Sequence, residues 1–261
     1  MYERTMPRPD GRPLNVHRRV EMIVGFHRPS EGSVLYRAGG TVVLCTASVD
    51  ANVPEFLRGK GKGWLTAEYQ MHPRANPPRR EQREGRGKPP SGRTQEIQRL
   101  IGRALRAALD LDGLGERTIA IDCDVLEADG GTRTASITGG FVALGLALGR
   151  LKENGQLPRP VLRDVVAATS VGHLGEGLAL DLVYLEDSAA RVDLNLVATA
   201  RGTIVEVQGT AEGEAVPRKD MDAMLDLGLA GVSSLVAMQK EVLGSAKIDL
   251  PALFMPGRWL A

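Results

Sequence analysis

The chain contains little cysteine, little histidine and almost no net charge. Its two cysteines, Cys45 and Cys123, lie within apolar runs and lack the paired spacing of a zinc site, so both are expected in the core. The four histidines show no metal-ligand spacing either. Because 33 Lys and Arg nearly balance 32 Asp and Glu, attraction to a polyanion requires a local cluster of positive charge.

Long hydrophobic runs are also missing. No stretch approaches the roughly 20 uninterrupted apolar residues of a membrane-spanning helix. Residues 1–10 are polar and do not resemble a secretory signal peptide. We therefore expect a soluble, cytoplasmic protein with no membrane partner. The sequence also lacks a Walker-type loop, a dinucleotide-binding fingerprint and a Ser-His-Asp arrangement.

The hydrophobic pattern predicts an α/β (α+β) fold. With 43% hydrophobic residues, the 261-residue chain can bury a substantial core. Strands are predicted at 33–36, 41–49, 118–126, 165–171, 178–185, 192–198 and 203–207, with the first two forming a hairpin, and helices at 95–109, at about 134–151 and from about 218. Both halves pass from strands to long helices, which suggests duplicated strand-helix units within one domain, residues 1–244, followed by an irregular tail, residues 245–261.

The most informative motif is DGGTRTAS at residues 129–136. Glycines allow a ligand to approach the backbone, and the start of the following helix offers free N–H groups to an oxyanion. Arg133 adds a charged fork suited to phosphate, and the hydroxyls of Thr132 and Ser136 add hydrogen-bond donors. The alternative is an ordinary helix N-terminus with Thr and Ser capping residues.

A second motif is the acidic segment EDSAARVD at residues 186–193. Carboxylates at the start of apolar strands are costly to bury unless they bind a cation or a donor. Asp187 and Asp193 are therefore candidate ligands for Mg²⁺. The alternative is a polar turn between two strands.

The third feature is a basic, proline-containing loop at residues 74–93. Its seven cations outnumber its two acids, Glu81 and Glu84, and are Arg74, Arg79, Arg80, Arg83, Arg86, Lys88 and Arg93. Such a loop can bind a phosphate backbone without reading bases, or it can simply be a solvated surface. Just upstream, Trp64 either stacks on a base or packs in the core.

These motifs, taken together, resemble the ribonuclease PH family. The matching runs follow the family's order along nearly the whole chain: RPDGR (8–12), EGSV (31–34), VLCTAS (43–48), GWLTAEY (63–69), GRTQEIQRLI (92–101), DCDVL (122–126), ADGGTRTASIT (128–138), EDSAA (186–190) and EVQGTAEG (206–213).

The resemblance implies a fold shared with the core domains of polynucleotide phosphorylase and a homohexameric ring built as a trimer of dimers. It also implies the roles of particular residues. Phosphate would bind Arg93, Gly131, Thr132 and Arg133, with Ser136 nearby. The catalytic, metal-associated carboxylates would be Asp187 and Asp193, and the RNA-contacting arginines would be Arg74, Arg79 and Arg83.

The activity implied by the resemblance is phosphorolytic 3′-to-5′ exoribonuclease activity. Inorganic phosphate, as co-substrate, would attack the last phosphodiester and release a nucleoside diphosphate, and Mg²⁺ or Mn²⁺ on Asp187 and Asp193 would offset charge. Asp193 or a metal-bound water would assist protonation of the departing oxygen. The reverse reaction is nucleotide addition, and the family's usual substrate is the 3′ extension of a tRNA precursor.

Two other functions compete with this one. A catalytically silent RNA-binding ring subunit would share the fold, although Arg93, Arg133, Asp187 and Asp193 argue against it. A metabolic enzyme acting on a phosphorylated small molecule would explain the glycine turn but not the basic loop.

Overall fold

A computed structural model gives the fold and describes residues 8–84, 87, 89–175, 177–212 and 214–259. Arg86 and Lys88 of the basic loop, and Gly213 of the last matching run, lie outside the described residues.

The N-terminal half forms a five-stranded sheet in the order β1-β2-β3-β5-β4. Its strands are β1 (Val20–Val24), β2 (Gly32–Ala38), β3 (Thr41–Asp50), β4 (Trp64–Met71) and β5 (Thr118–Glu127). Strand β4 is parallel to β5, and the other neighbours are antiparallel. The parallel pair requires a crossover, which contains α1 (Gly92–Ala107) and α2 (Leu111–Leu114).

The C-terminal half forms a four-stranded antiparallel sheet in the order β7-β6-β8-β9. Its strands are β6 (Val166–Leu174), β7 (Gly177–Leu180), β8 (Val192–Thr199) and β9 (Ile204–Ala211). The remaining helices are α3 (Thr132–Glu153) between the sheets in sequence, the short α4 (Tyr184–Asp187) and the long α5 (Arg218–Ser245). The predicted α/β fold is confirmed.

Helix α3 links the two halves physically as well as in sequence. It contacts β2 and β3 of the first sheet and β6 of the second, while α5 covers β6 and β8. One continuous hydrophobic cluster therefore includes residues of both sheets. The predicted core position of Cys45 and Cys123 is confirmed, since their residues are 0% and 2% exposed.

Two helices are long and apolar enough to span a membrane by length and composition, namely α3 and α5. In α3, 89% of the most apolar window is buried inside the protein, as expected for a core helix. In α5 the buried share of that window is 33%, because the helix covers the second sheet from outside.

The strand predicted at 178–185 is wrong beyond Leu180. Asp181 takes a left-handed conformation, with φ 57°, and its carboxylate accepts hydrogen bonds from Arg18. The chain then turns into α4, where the Glu186 carboxylate accepts from the Val183 N–H at 3.0 Å. Long-range arginine contacts override the apolar pattern here.

After Ser245, the predicted tail has no helix or strand among its described residues beyond one short turn and one bridge, but it packs on the core. A 3₁₀ turn forms at Pro251–Leu253, and Phe254 pairs with Leu162 in an isolated bridge. Leu250, Leu253 and Phe254 are buried. These apolar side chains are buried because the tail packs beside Leu162, and removing apolar surface from water is favourable.

Candidate active site

The predicted phosphate turn and the predicted carboxylates line the same cleft, which has a volume of about 450 Å³. The two halves of the fold both contribute to it. Its lining includes, among others, Tyr69, Arg93, Gly130, Gly131, Thr132, Arg133, Tyr184, Asp187, Asp193 and Asn195.

The glycine turn forms the floor at the start of α3. Gly130 and Gly131 have φ values of 77° and 67°, a region that residues with a Cβ avoid. Helix α3 begins at Thr132, so its first N–H groups, which lack intrahelical acceptors, lie at the cleft. The hydroxyls of Tyr69 and Thr132 are 2.9 Å apart and hydrogen-bonded, which fixes the orientation of Thr132.

Two arginines bring positive charge to this turn. Arg93 lies in the first turn of α1, whose N-cap Ser91 accepts from the Thr94 N–H at 3.2 Å. Arg133 donates from Nη1 to Gln208 Oε1 at 2.7 Å, and the same nitrogen is 3.4 Å from Glu96 Oε1. Arg133 is therefore held by two polar partners at the edge of the cleft.

The carboxylates come from the second sheet. Asp187 ends α4, and Asp193 is the second residue of β8. Burial, and then the neighbouring Asp187 carboxylate, raise the pKa of Asp193 to about 6. Asp193 Oδ2 accepts from Asn195 Nδ2 at 3.3 Å, whereas its buried Oδ1 has no hydrogen-bond partner among the described residues.

This pair of carboxylates fits a divalent cation in part. Among the described residues there is no group of three or more His, Cys, Asp or Glu side chains placed to hold a metal. Two adjacent carboxylates with an unpartnered buried oxygen nevertheless suit Mg²⁺, which usually takes one or two carboxylates together with waters and substrate phosphate oxygens. The remaining ligands would have to come from substrate and solvent.

Ser136 does not line the cleft. It is 0% exposed, and its hydroxyl donates to the Thr132 carbonyl at 2.8 Å inside the first turns of α3. Ser136 lies four residues after Thr132, so it is on the same face of α3 but one helical turn further from the cleft. Ser136 therefore stabilises the start of α3 and does not reach a ligand in the cleft.

The three predicted RNA-contacting arginines lie on the basic loop beside the cleft. Arg74, Arg79 and Arg83 are exposed, and none of them lines the cleft itself. Their neighbours Asn76 and Glu81 do line it. The loop therefore forms part of the rim, where Arg74, Arg79 and Arg83 are exposed to solvent.

Trp64 lies at the other end of β4 from the Tyr69 side of the cleft. Its ring packs edge-on against Phe56 at 5.5 Å between centroids, and the Arg106 guanidinium lies 4.7 Å from its centroid. The packing interpretation of Trp64 accounts for these contacts.

Sequence reasoning missed several residues that hold the site together. Gln208 and Glu96 bind Arg133, Tyr69 binds Thr132, and Arg18 binds the backbone of the glycine turn. Gln208, Glu96 and Tyr69 lie inside matching family runs, which was the one signal available. Their pairing depends on contacts between distant parts of the chain.

Comparisons with known proteins agree with this architecture. Models of the 3′ exoribonuclease family match residues 17–148 (domain 1) and 164–231 (domain 2). A ribonuclease PH from Listeria welshimeri is 51% identical over 238 residues, covering 91% of this chain and 96% of that protein.

Solved structures show the same fold at lower identity. Rice (Oryza sativa) Rrp46 matches with a TM-score of 0.73 and 18% identity, covering 90% of this chain and 100% of that chain. A chain of the Archaeoglobus fulgidus exosome, in a structure with RNA bound to the active site, matches with a TM-score of 0.70 and 23% identity, covering 87% and 91%. The two family matches and the 51% identity show that this chain belongs to the ribonuclease PH family of 3′ exoribonucleases.

Proposed function

We propose that this chain is a phosphate-dependent 3′-to-5′ exoribonuclease whose reaction takes place in the cleft between the glycine turn and the Asp187–Asp193 pair. The observation that carries the proposal is the meeting of an anion-binding turn, two arginines and two carboxylates in one cleft. These groups come from both sheets, and their types match phosphorolysis, which requires a bound phosphate facing a phosphodiester.

The glycine turn binds the attacking phosphate. The N–H groups at the start of α3 and the positive end of its dipole favour an anion. Arg93 and Arg133 supply charged donors, and Thr132 supplies a hydroxyl held by Tyr69. Fixing the phosphate in this way turns its attack on the RNA end into a step within one complex.

Asp193 is suited to the proton transfer. Its pKa of about 6 leaves part of the population protonated between about pH 6 and 7, whereas an ordinary Asp is fully ionised there. As a phosphate oxygen bonds to the terminal phosphorus and the bond to the preceding 3′ oxygen breaks, that oxygen takes up a proton. Protonated Asp193 supplies this proton, or solvent supplies it when Asp193 is ionised and holds a cation. The products are a nucleoside 5′-diphosphate and an RNA shorter by one residue, and the reverse reaction adds a nucleotide.

Asp187 and Asp193 would hold Mg²⁺ or Mn²⁺ if a cation takes part. When bound there, it would offset the negative charge of the scissile phosphate. The support is the unpartnered Asp193 Oδ1 beside a second carboxylate.

The basic loop at the rim is suited to the RNA strand. Arg74, Arg79 and Arg83 are exposed and face few acids, so they can contact successive phosphates without reading bases. We further propose that the substrates are 3′-extended tRNA precursors in the cytoplasm and that the chain works as a homohexamer. Sedimentation would test the last point by a particle of about six times 28.0 kDa.

A matched pair of variants tests the activity. We expect the wild type to release nucleoside diphosphates from 3′-labelled single-stranded RNA only when phosphate is present. Arg93→Ala should lower the rate about 100-fold or more, as expected for loss of a charged group that binds the reacting phosphate. The control Arg163→Ala removes an arginine that pairs with Asp110, outside the cleft, and should retain the rate.

Other outcomes would identify the rival functions. Tight RNA binding without any product from the wild type would favour a silent ring subunit. Absence of RNA binding would favour an enzyme that acts on a phosphorylated small molecule.

A further inference from the structure

The first described residues of the chain, 8–18, bring three arginines to the back of the cleft. The side chains of Arg8 and Arg18 are each 3% exposed, and that of Arg12 is 9% exposed. A buried arginine is costly unless acids and carbonyls satisfy its donors. Their partners therefore indicate what the arginines hold in place.

Arg18 joins the glycine turn to the segment that leads to Asp187. Its Nε and Nη2 donate to the two carboxylate oxygens of Asp181 at 2.9 and 2.7 Å. Its Nη1 donates to the Asp129 carbonyl at 2.6 Å, and Nη2 lies 3.4 Å from the Gly130 carbonyl. One guanidinium thus bridges the turn of the first half and an acid of the second.

Arg8 holds the other end of that segment. Its Nε and Nη2 donate to Glu186 Oε1 and Oε2 at 2.7 and 2.8 Å, a bidentate pair. Nη2 also donates to the carbonyls of Leu180 and Asp181, at 2.9 and 3.1 Å. Since Glu186 immediately precedes Asp187, Arg8 fixes the helical turn that presents Asp187 to the cleft.

The glycine turn and this segment are in direct backbone contact. A Cβ on Gly130 would overlap the Leu182 carbonyl and lie 2.9 Å from Tyr184 N. Tyr184 N also donates to Asp129 Oδ1 at 3.3 Å. A small change in the arginine contacts would therefore move Asp187, which ends this segment, relative to the phosphate turn.

The acids in this network remain ionised. Burial alone would raise the pKa of Asp181, but hydrogen bonds from Arg18 hold it below its usual value. Burial acts the same way on Glu186, and hydrogen bonds from Arg8 lower its pKa. The contacts are consequently charge-assisted and directional, unlike packing that only adds stability.

We propose that Arg8 and Arg18 are positioning residues, which set the distance between the phosphate bound at the glycine turn and the Asp187 carboxylate. This inference rests on the proposed function. Neither arginine lines the cleft, so each acts through the segment it holds. Misplacement of reacting groups by about 1 Å costs on the order of 100-fold in rate.

The test compares three Arg→Lys variants in the full-length protein. Arg8→Lys and Arg18→Lys keep the positive charge but lose the bidentate geometry. Arg201→Lys is the control, because Arg201 also pairs with a buried acid, Asp164, at 3.2 Å but lies away from the cleft. For each protein, kcat, the KM for phosphate, the Kd for single-stranded RNA and the melting temperature are measured.

The two arginines should give different patterns. Arg8→Lys should lower kcat by about 10- to 100-fold while the KM for phosphate and the Kd for RNA stay within about threefold. Among the described residues, Arg8 donates to the Asp187 segment and to the carbonyls of Pro13 and Leu14, and to no atom of the glycine turn. Arg18→Lys should lower kcat and also raise the KM for phosphate, because Arg18 also holds the turn. Arg201→Lys should keep both constants even where its melting temperature falls.

The proposal is overturned if folded Arg8→Lys and Arg18→Lys keep wild-type kcat, or if the only change is a weaker Kd for RNA. Should either variant be unfolded at the assay temperature, Glu186→Gln is the milder replacement and must lower kcat without changing the KM for phosphate. Wild-type and Arg201→Lys activity reports on the proposed function itself. Failure of both proteins to release diphosphates would therefore count against the function and not against the positioning network.

Discussion

Arg133, which the proposed function assigns to phosphate, is also held by two protein side chains. Its Nη1 lies 3.4 Å from both Glu96 carboxylate oxygens and donates to Gln208 Oε1, while Gln208 Nε2 donates to Glu96 Oε1 at 3.0 Å. An incoming phosphate must compete with the Glu96 carboxylate for the same guanidinium. Glu96 therefore weakens phosphate binding while it holds Arg133 at the edge of the cleft.

Glu96→Gln should tighten phosphate binding. The amide can still accept from Gln208 or Arg133, but the opposing charge is gone, so the KM for phosphate should fall about threefold in a partly exposed site. The measurement is the initial rate of diphosphate release as a function of phosphate concentration. Glu153→Gln, at an exposed position on α3, is the control and should leave the KM unchanged. A higher KM in Glu96→Gln would contradict this account.

Asp193 should reduce the stability of the protein above the pH at which it ionises. Its folded-state pKa of about 6 is above the ordinary value of 3.8, so the folded protein binds this proton more tightly than the unfolded chain does. Below about pH 4 the group is protonated in both states. As the pH rises through about 6, the buried negative charge destabilises the folded state.

Asp193→Asn should therefore stabilise the protein at pH 8 but have little effect at pH 4. The expected gain is about 1 kcal/mol after allowance for partial exposure, or a melting-temperature increase of about 2–4 °C. Thermal unfolding in metal-free buffer at both pH values measures it, and the exposed Asp226→Asn serves as control. Equal effects at the two pH values would show that the charge of Asp193 is not the cause.

At the scale of elements, the glycine turn between β5 and α3 is the most constrained part of the site. Gly130 has φ 77° and lies against the backbone of residues 182–184. Gly131 has φ 67°, and a Cβ there would lie 3.1 Å from Arg18 Nη2. Both glycines are required by conformation and by close approach.

Gly130→Ala should destabilise the protein by more than about 2 kcal/mol, because it combines a left-handed backbone with a steric overlap. Diphosphate release should fall with it, since the turn and the Asp187 segment are forced apart. Gly244→Ala is the matched control in α5, where a Cβ meets nothing within 4 Å, and should stabilise the helix by about 0.5–1 kcal/mol. Chemical denaturation of both variants measures the change in the free energy of unfolding, which should have opposite signs. If Gly130→Ala left that free energy unchanged, the close contact of Gly130 with residues 182–184 would be contradicted.

Elements with strong local patterns were predictable from the sequence. The β2–β3 hairpin, the start of α5 and the apolar core helix α3 all follow from periodicity and turn residues. The segment after Leu180 was not predictable. Its conformation depends on hydrogen bonds from Arg18 and Arg8, which are more than 160 residues away in sequence. Strand β4 was not predicted either, and the sequence left Trp64 open between stacking on a base and packing in the core.

The candidate site shows the same division. Residues that carry chemistry were identified by motif, and Arg93, Gly131, Thr132, Arg133, Asp187 and Asp193 line one cleft. Their supports, such as Gln208 and Arg18, are ordinary polar residues whose role depends on tertiary contacts. Ser136 belonged to the right motif, but the helical turn buries it.

At the scale of the whole molecule, the cleft requires both sheets at once. The first half supplies the glycine turn, Arg93 and the basic loop, and the second supplies Asp187 and Asp193. With a net charge of +1, the chain as a whole exerts little attraction on RNA. Under the proposed function, the exposed arginines of the loop provide most of the attraction.

Replacement of Arg74, Arg79 and Arg83 by Gln should weaken RNA binding and reduce its dependence on salt. The plot of log K against log salt has a negative slope, of about 0.7 in magnitude for each phosphate of a single strand that the protein neutralises. Three replacements should therefore make the slope less steep by about 2. Titration of labelled RNA at several salt concentrations measures the slope. The same changes at the exposed Arg19, Arg28 and Arg37 form the control, and an unchanged slope in the loop variant would place the RNA elsewhere.

The proposed function requires that inorganic phosphate, and not water, breaks the last phosphodiester bond in this cleft. The most direct measurement is to incubate single-stranded RNA with isotopically labelled phosphate and to locate the label in the released nucleotides. We expect nucleoside diphosphates that carry the label in the β-phosphate, with none formed by an Arg133→Ala variant. Unlabelled nucleoside monophosphates, released at the same rate without phosphate, would contradict it.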